Sequence, residues 1–244
     1  MHEGAILICG VGGLGCIWAD SAHRTCPDLA DLLLIDADEA SFRGSGQAHC
    51  LHLDAIGDGN GAAALPSLAA HRLAEGLSSM DGLLKRAELV ILMTGLGGGT
   101  GSGAASELAR IATSRNCLVL SIAGLPFAEQ PLRSAIASAA LPALEANSHV
   151  CIHVSMERLA WYARARKDDW QTGSGWIQDL IQGLVTTLGR VGKMNLDLMD
   201  LRTVVEHPGK ATLIVGVGSI SNPMEVVEVA RQSPLANTDV TGAR

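Results

Sequence analysis

The chain has 244 residues, 48% of them hydrophobic, and a formal net charge of -7. That length fits one large domain or one and a half small ones, with enough apolar side chain to bury a sizeable core. The acidic balance excludes a general nucleic-acid binder, which needs a basic face, and an aromatic content of 3% is too low for stacking along a strand of bases.

No apolar run approaches the roughly 20 residues of a membrane span. The chain enters a strand-like segment with no basic lead or cleavage site, so no signal peptide is expected. Six cysteines lie scattered, mostly inside apolar runs. They read as reduced thiols of a cytoplasmic protein rather than as a disulfide framework.

In chain order, "AILICGVGGLG" is a buried strand that breaks into a glycine loop, Gly10 to Gly15, and "GCIWADSAHRTC" follows at helical spacing. "DLLLIDADEA" is a second strand ending in acids. Phe42 to Ala64, rich in Gly, Ala, His and Asp, reads as loops. "LPSLAAHRLAEGLSSMDGLLKRA" reads as helical. "ELVILMTGLGGGTGSG" is a third strand with a second glycine loop, and "AASELARIATSRN" is the helix after it. "CLVLSIAGLPF" is a fourth strand, "QPLRSAIASAALPALEAN" a helix in spite of Pro142, and "SHVCIHVS" a fifth strand.

This alternation predicts an α/β fold: a doubly wound, mostly parallel, Rossmann-like sheet with helices on both faces. Ligands of such sheets sit at the carboxyl ends of the strands, where both glycine loops fall. Beyond Ser155, Arg164 to Asp169 reads as a polar linker. "GWIQDLIQGLVTTLGRVG" is a long central helix packed along the sheet, and "NLDLMDLRTVVEHPG" a loop entering a short helix. "KATLIVGVGSIS" is one more strand and "PMEVVEVARQS" one more helix. The expected organisation is a nucleotide-binding domain over 1–170, a linking helix over 171–194, and a partial second domain over 195–244.

A glycine loop between strand and helix turns backbone N–H groups toward one anion, and the helix start adds partial positive charge. The first loop, with Gly10, Gly12, Gly13 and Gly15, suits a dinucleotide site or an adenylate-forming enzyme equally, with "DAD" as a ribose contact. The second loop is more specific. Its string "GGGTGSG" comprises Gly97, Gly98, Gly99, Thr100, Gly101, Ser102 and Gly103.

With these two loops, "PFAEQPLR" (126–133), "MNLDLMDLRTV" (194–204) and "SPLANTDVTGAR" (233–244), the chain resembles the tubulin and FtsZ GTPase superfamily over nearly its whole length. The resemblance implies GTP and GDP as ligands with Mg2+, and a site shared by subunits stacked head to tail into filaments. It implies that Gly97 to Gly103 hold the phosphates, helped by the Thr100 and Ser102 hydroxyls. Glu129 and Arg133 would contact the ribose and guanine side. Asn195, Asp197 and Asp200 would act in trans on the neighbour's gamma-phosphate, although Asn195 or Asp197 also suits the cap of a helix starting near Leu198. The implied partners are further copies of the chain or another FtsZ-type protein, with no nucleic acid.

The departures from the family concern the nucleotide. Ile17 and Met156 stand where the family has Asn, Ser174 aligns with a base-reading Asn, and "GAAALP" (61–66) replaces a glycine-rich loop. Loss of paired donors and acceptors costs guanine specificity. The alternatives are a non-hydrolysing scaffold of a filament and a Rossmann-type adenylate or dinucleotide enzyme. His149, Cys151 and His153 share one face of a strand; they read as a core strand rather than a metal site, as does "HCLH" (49–52) as loop, and no metal ligands are assigned.

Overall fold

The computed structural model describes residues 5–46, 48–53, 65–173, 175–189, 197–205, 214, 216, 218 and 221–235. Six parallel strands make one sheet: β1 (Ile6–Val11), β2 (Asp31–Asp36), β3 (His49–His52), β4 (Leu89–Gly95), β5 (Leu118–Leu125) and β6 (Val150–Ser155). Their spatial order is β3-β2-β1-β4-β5-β6. The chain thus winds outward from β1 in one direction, returns, and winds outward from β4 in the other. The strand order reverses between β1 and β4, the place where open parallel sheets bind ligands.

Strand β1 is buried at every position, as an interior strand covered by helices on both faces must be. Alternate side chains enter opposite cores. Ile6 and Ile8 join one face with Trp18 and Ala19 of α1 (Gly12–His23), Leu159 of α6 (Met156–Arg166), and Ile177, Ile181 and Val185 of α7 (Trp176–Gly189). Leu7, Cys9 and Val11 join the other. There they meet Leu73 of α2 (Pro66–Gly76), Leu84 of α3 (Asp81–Arg86), Leu108 of α4 (Gly99–Ser114) and Leu144 of α5 (Pro131–Ala146). The expected doubly wound architecture is observed. The long helix lies along α1, tied by the Gln178 amide to the Ser21 hydroxyl at 2.7 Å.

Two local expectations are corrected. The Phe42–Ala64 stretch is not all loop, since His49–His52 forms edge strand β3 beside β2. Pairing with a preformed neighbour, together with burial of Leu51, overrides a composition rich in turn formers. The polar linker also begins later than expected. Helix α6 continues through Arg164 and Arg166, and ends where Lys167 turns left-handed at φ 57. Pro142 sits inside α5 without ending it. Helices α8 (Leu198–Val205) and α9 (Pro223–Arg231) follow. The expected strand at 210–221 lies almost wholly outside the described residues. Among those residues no helix is long and apolar enough to cross a membrane.

Candidate functional site

The two glycine loops meet at the sheet's reversal point. Gly12 takes φ +75, and a Cβ there would lie 3.1 Å from the Gly101 nitrogen, so the loops are in contact. Thr94, at the end of β4, ties them: its hydroxyl lies 3.1 Å from the Val11 carbonyl and 3.0 Å from the Gly101 carbonyl. Gly97 takes φ +101, open to glycine at little cost, and its N–H donates to the Ser102 hydroxyl oxygen at 2.9 Å. The turn is braced from within the first turn of α4.

Around these loops lies a crevice of about 460 Å³. Four helices begin on it. Gly12 and Gly13 open α1, Gly98 to Gly101 open α4, Gln130 precedes α5, and Met156 opens α6. Neither α1 nor α4 has a side-chain cap on its first turn, so the N–H groups that every helix start leaves unpaired remain available. Arg133 is the one charged residue among the described residues lining the crevice, and no carboxylate lines it. In a chain of net charge -7 this is a local anion-accepting surface.

Of the residues singled out in the sequence, Gly12, Gly13, Ile17, Gly98, Gly99, Thr100, Gly101, Arg133 and Met156 line this crevice. Gly10, Gly15 and Gly103 do not. A Cβ on Gly15 would strike the Met93 carbonyl oxygen, and one on Gly103 the Pro66 carbonyl oxygen, so these glycines let backbones approach rather than admit a ligand. Gly97 abuts Arg133 in the same way, and Ser102 is turned inward to its brace. Glu129 is exposed and off the lining; Gln130 is on it. Ser174 and Asn195 lie outside the described residues. Thr94, Gln130, Phe127, Trp170 and Gln171 were not singled out in the sequence. Thr94 could have been found as a lone polar residue closing an apolar strand; the others come from connections whose meeting only the fold sets.

Asp197 and Asp200 are elsewhere. Both are exposed, at the start of α8. The Asp197 carboxylate accepts from the Asp200 N–H at 2.8 Å, and the Asp200 carboxylate accepts from the Asp197 N–H at 3.1 Å. This is a reciprocal capping box, and the expected cap falls to Asp197. Helix α8 is anchored by Arg202, whose guanidinium donates to the Asn116 carbonyl at 2.7 Å, just before β5. Leu198 and Met199 lie in the same region as Lys85 to Glu88, just before β4. The acids therefore sit toward the amino ends of the strands, and the crevice is at their carboxyl ends. The seven residues of β4 separate them by roughly 20 Å.

The histidine and cysteine face of β6 is partly buried and internally engaged. His149 Nδ1 accepts from the Val119 N–H at 3.1 Å, and His153 lies 3.1 Å from Glu145. Among the described residues no cluster of three or more His, Cys, Asp or Glu is arranged to hold a metal ion.

A doubly wound parallel sheet with paired glycine loops and uncapped helix starts at its reversal point defines a Rossmann-like protein with an anion-accepting crevice. The model of the tubulin/FtsZ family GTPase domain matches residues 5–163, and the chain belongs to that family. It is 28% identical over 244 residues to a cell division protein FtsZ of Mycoplasmopsis pulmonis, covering 98% of this chain and 62% of that protein. The chain thus spans less than two thirds of that curated relative. Among solved structures it resembles an empty FtsZ dimer of M. jannaschii, with TM-score 0.81, 24% identity, and coverage of 99% of this chain and 72% of the other. It also resembles a GTPgS-bound protofilament of CetZ2 from Haloferax volcanii, with TM-score 0.69, 19% identity, and coverage of 91% and 71%. At these identities the two structures establish the fold.

Proposed function

We propose that the chain binds GTP and GDP in the crevice and hydrolyses GTP in an assembly of head-to-tail copies. The observation that carries the binding is the crevice itself. It joins two uncapped helix starts and Arg133, with no carboxylate among the described lining residues, in a chain of the tubulin/FtsZ family. Phosphates would lie on the N–H groups of Gly12, Gly13 and Gly98 to Gly101, with the Thr100 hydroxyl as a further donor. Arg133 would neutralise part of their charge.

Mg2+ would arrive with the nucleotide, held mainly by phosphate oxygens and water, where it supplies charge neutralisation. Asp36 is a buried acid behind Gly13, off the crevice lining. A Cβ on Gly13 would lie 3.8 Å from its Oδ2, and its two oxygens accept from the Ala37 N–H and the Ser41 hydroxyl.

The opposite placement of Asp197 and Asp200 supports a composite site. These acids cannot reach the crevice of their own chain, but a second copy stacked along the strand direction would present them to it. Such a contact is heterologous and propagates into a filament. The relative solved as a GTPgS-bound protofilament makes that arrangement reasonable for this fold. Phosphate release and pelleting, measured with GTP and Mg2+ over a range of protein concentrations, test the reading. Hydrolysis per molecule should rise with concentration; absence of nucleotide binding would end it.

A further inference from the structure

We propose that the cavity beneath α8, at the amino ends of the strands, is a second anion site, one that takes a small anion with several phosphate or carboxylate groups. This site does not depend on what the crevice holds. The cavity measures about 600 Å³, a volume that suits a ligand of metabolite size. Three separate parts of the chain bring cations to it. Lys85 and Arg86 come from the end of α3, Arg115 from the turn between α4 and β5, and Arg202 from α8.

The charge balance there is the reverse of the whole chain's. The chain has 18 lysines and arginines against 25 acids, yet the described lining carries these four cations against one acid, Glu88. The cavity is therefore a local attractor for anions on a molecule that repels them as a whole. Leu118 and Leu198 form part of its wall and lower the local dielectric, which strengthens each charge contact.

The cations are anchored. Lys85 Nζ lies 2.6 Å from Asp81 Oδ2, and Arg115 Nη2 lies 2.6 Å from Asp81 Oδ1, so one carboxylate divides its charge between two cations. Arg86 lies 3.2 Å from Asp31. Neither Asp81 nor Asp31 is on the lining, so both brace the cations from outside the cavity. Arg202 donates to the Asn116 carbonyl at 2.7 Å and to its side-chain oxygen at 3.3 Å. Asn116 takes φ 64, a left-handed turn that Asn accepts readily, and offers both oxygens to α8. Asp197 and Asp200 also stay off the lining, each bonded to the other's backbone. A fixed cluster of like charges repels itself, and a multivalent anion relieves that repulsion with little side-chain ordering left to do. The guanidinium forks of Arg86, Arg115 and Arg202 match the paired oxygens of phosphate and carboxylate alike.

The test is calorimetric titration of the full chain with pyrophosphate and, separately, with citrate, both without Mg2+. Gly98→Asp sets a carboxylate in the crevice, where a Cβ meets nothing within 4 Å, and closes that site to anions. The Gly98→Asp chain should still bind one anion per molecule. Adding Lys85→Ala or Arg86→Ala, both at exposed positions, should weaken that binding about fivefold each. Arg110→Ala, outside the cavity, should leave it unchanged. In the chain with Gly98 intact, pyrophosphate should fill two sites, and Lys85→Glu with Arg86→Glu should remove one of them. Binding of pyrophosphate alone assigns the cavity to phosphates and binding of citrate alone to carboxylates; either supports the proposal. If the intact chain binds pyrophosphate once and the Gly98→Asp chain binds neither anion, the proposal is overturned and the proposed function stands. Binding that ignores the Lys85 and Arg86 variants, or that Arg110→Ala weakens equally, also overturns it. A single site that survives Gly98→Asp and is lost with Lys85→Glu and Arg86→Glu supports this cavity and counts against the crevice. Failure of both chains to bind overturns both readings.

Discussion

Asp197 and Asp200 hold each other's backbone, carboxylate to N–H in both directions at 2.8 and 3.1 Å, and so begin α8. One pair of residues thereby carries a structural task in its own chain and, in the proposed assembly, a chemical one in the next. The two tasks separate by substitution. Asp200→Asn keeps an acceptor for the Asp197 N–H and removes the charge; Asp200→Ala removes both. Asp200→Ala should lower stability by about 1 kcal/mol, the scale of a lost helix cap, and Asp200→Asn by much less. Both should reduce turnover about 100-fold if the carboxylate polarises the attacking water, with nucleotide affinity unchanged. Full turnover in Asp200→Asn would assign the pair to capping alone.

The separation of crevice and acids along β4 predicts complementation. Gly98→Asp tests it cleanly. Gly98 is the N-cap of α4 at φ -102, a Cβ there meets nothing within 4 Å, and Asp is itself a favoured cap. The variant should fold normally and repel phosphate. Alone, Gly98→Asp and Asp200→Ala chains should each be nearly inactive in phosphate release. Mixed at equal concentration they should recover part of the activity, since each supplies what the other lacks. A mixture with no recovery argues against a shared site.

Arg133 is the crevice's one cation among the described lining residues, and its loss should be felt in binding rather than folding. Arg133→Ala should weaken GTP about tenfold, the scale of one charge-assisted hydrogen bond at an exposed position, with an unchanged melting temperature. Titration calorimetry and a thermal melt on the same sample decide it.

Gly15 and Gly98 look alike in sequence and should behave oppositely. Gly15→Ala drives a Cβ into the Met93 carbonyl oxygen, where α1 crosses β4, and should cost about 2–4 kcal/mol in denaturant unfolding. Gly98→Ala enters open space and should change stability by less than about 1 kcal/mol, the residual being the weaker cap.

The thiols give a pH prediction. Burial pushes the Cys9 and Cys16 thiols far above their ordinary range, and that of Cys151 up to about 12. A raised thiol stays neutral in the folded chain while the unfolded chain ionises near pH 8.5. The stability they contribute is therefore complete below that pH and is lost as pH rises toward the folded values. Unfolding free energy should fall from about pH 9 upward, and Cys9→Ser and Cys16→Ser chains should show a shallower alkaline slope. In native protein Cys50, exposed on β3, should react first with a thiol reagent; Cys9, Cys16 and Cys117 should wait for denaturant.

The sequence alone determined the parallel winding, the two glycine loops and their place at strand ends. Each is a local signal: an apolar run of strand length, then residues that only a close backbone approach requires. It also offered Asp197, beside Asn195, as a helix cap, because a cap depends on residues close along the chain. It could not say which glycines face a ligand and which face Met93 or Pro66, because that depends on helices crossing strands distant in sequence. It misread His49–His52 as loop, because β3 exists only through its pairing with β2. The aromatic end of the crevice was equally hidden: Phe127 and Trp170 are 43 positions apart and meet only once β5 and the α6–α7 connection are in place. Tertiary structure alone set the capped acids and the glycine loops at opposite ends of one sheet. Strand direction fixes that polarity, and no spacing along the chain records it.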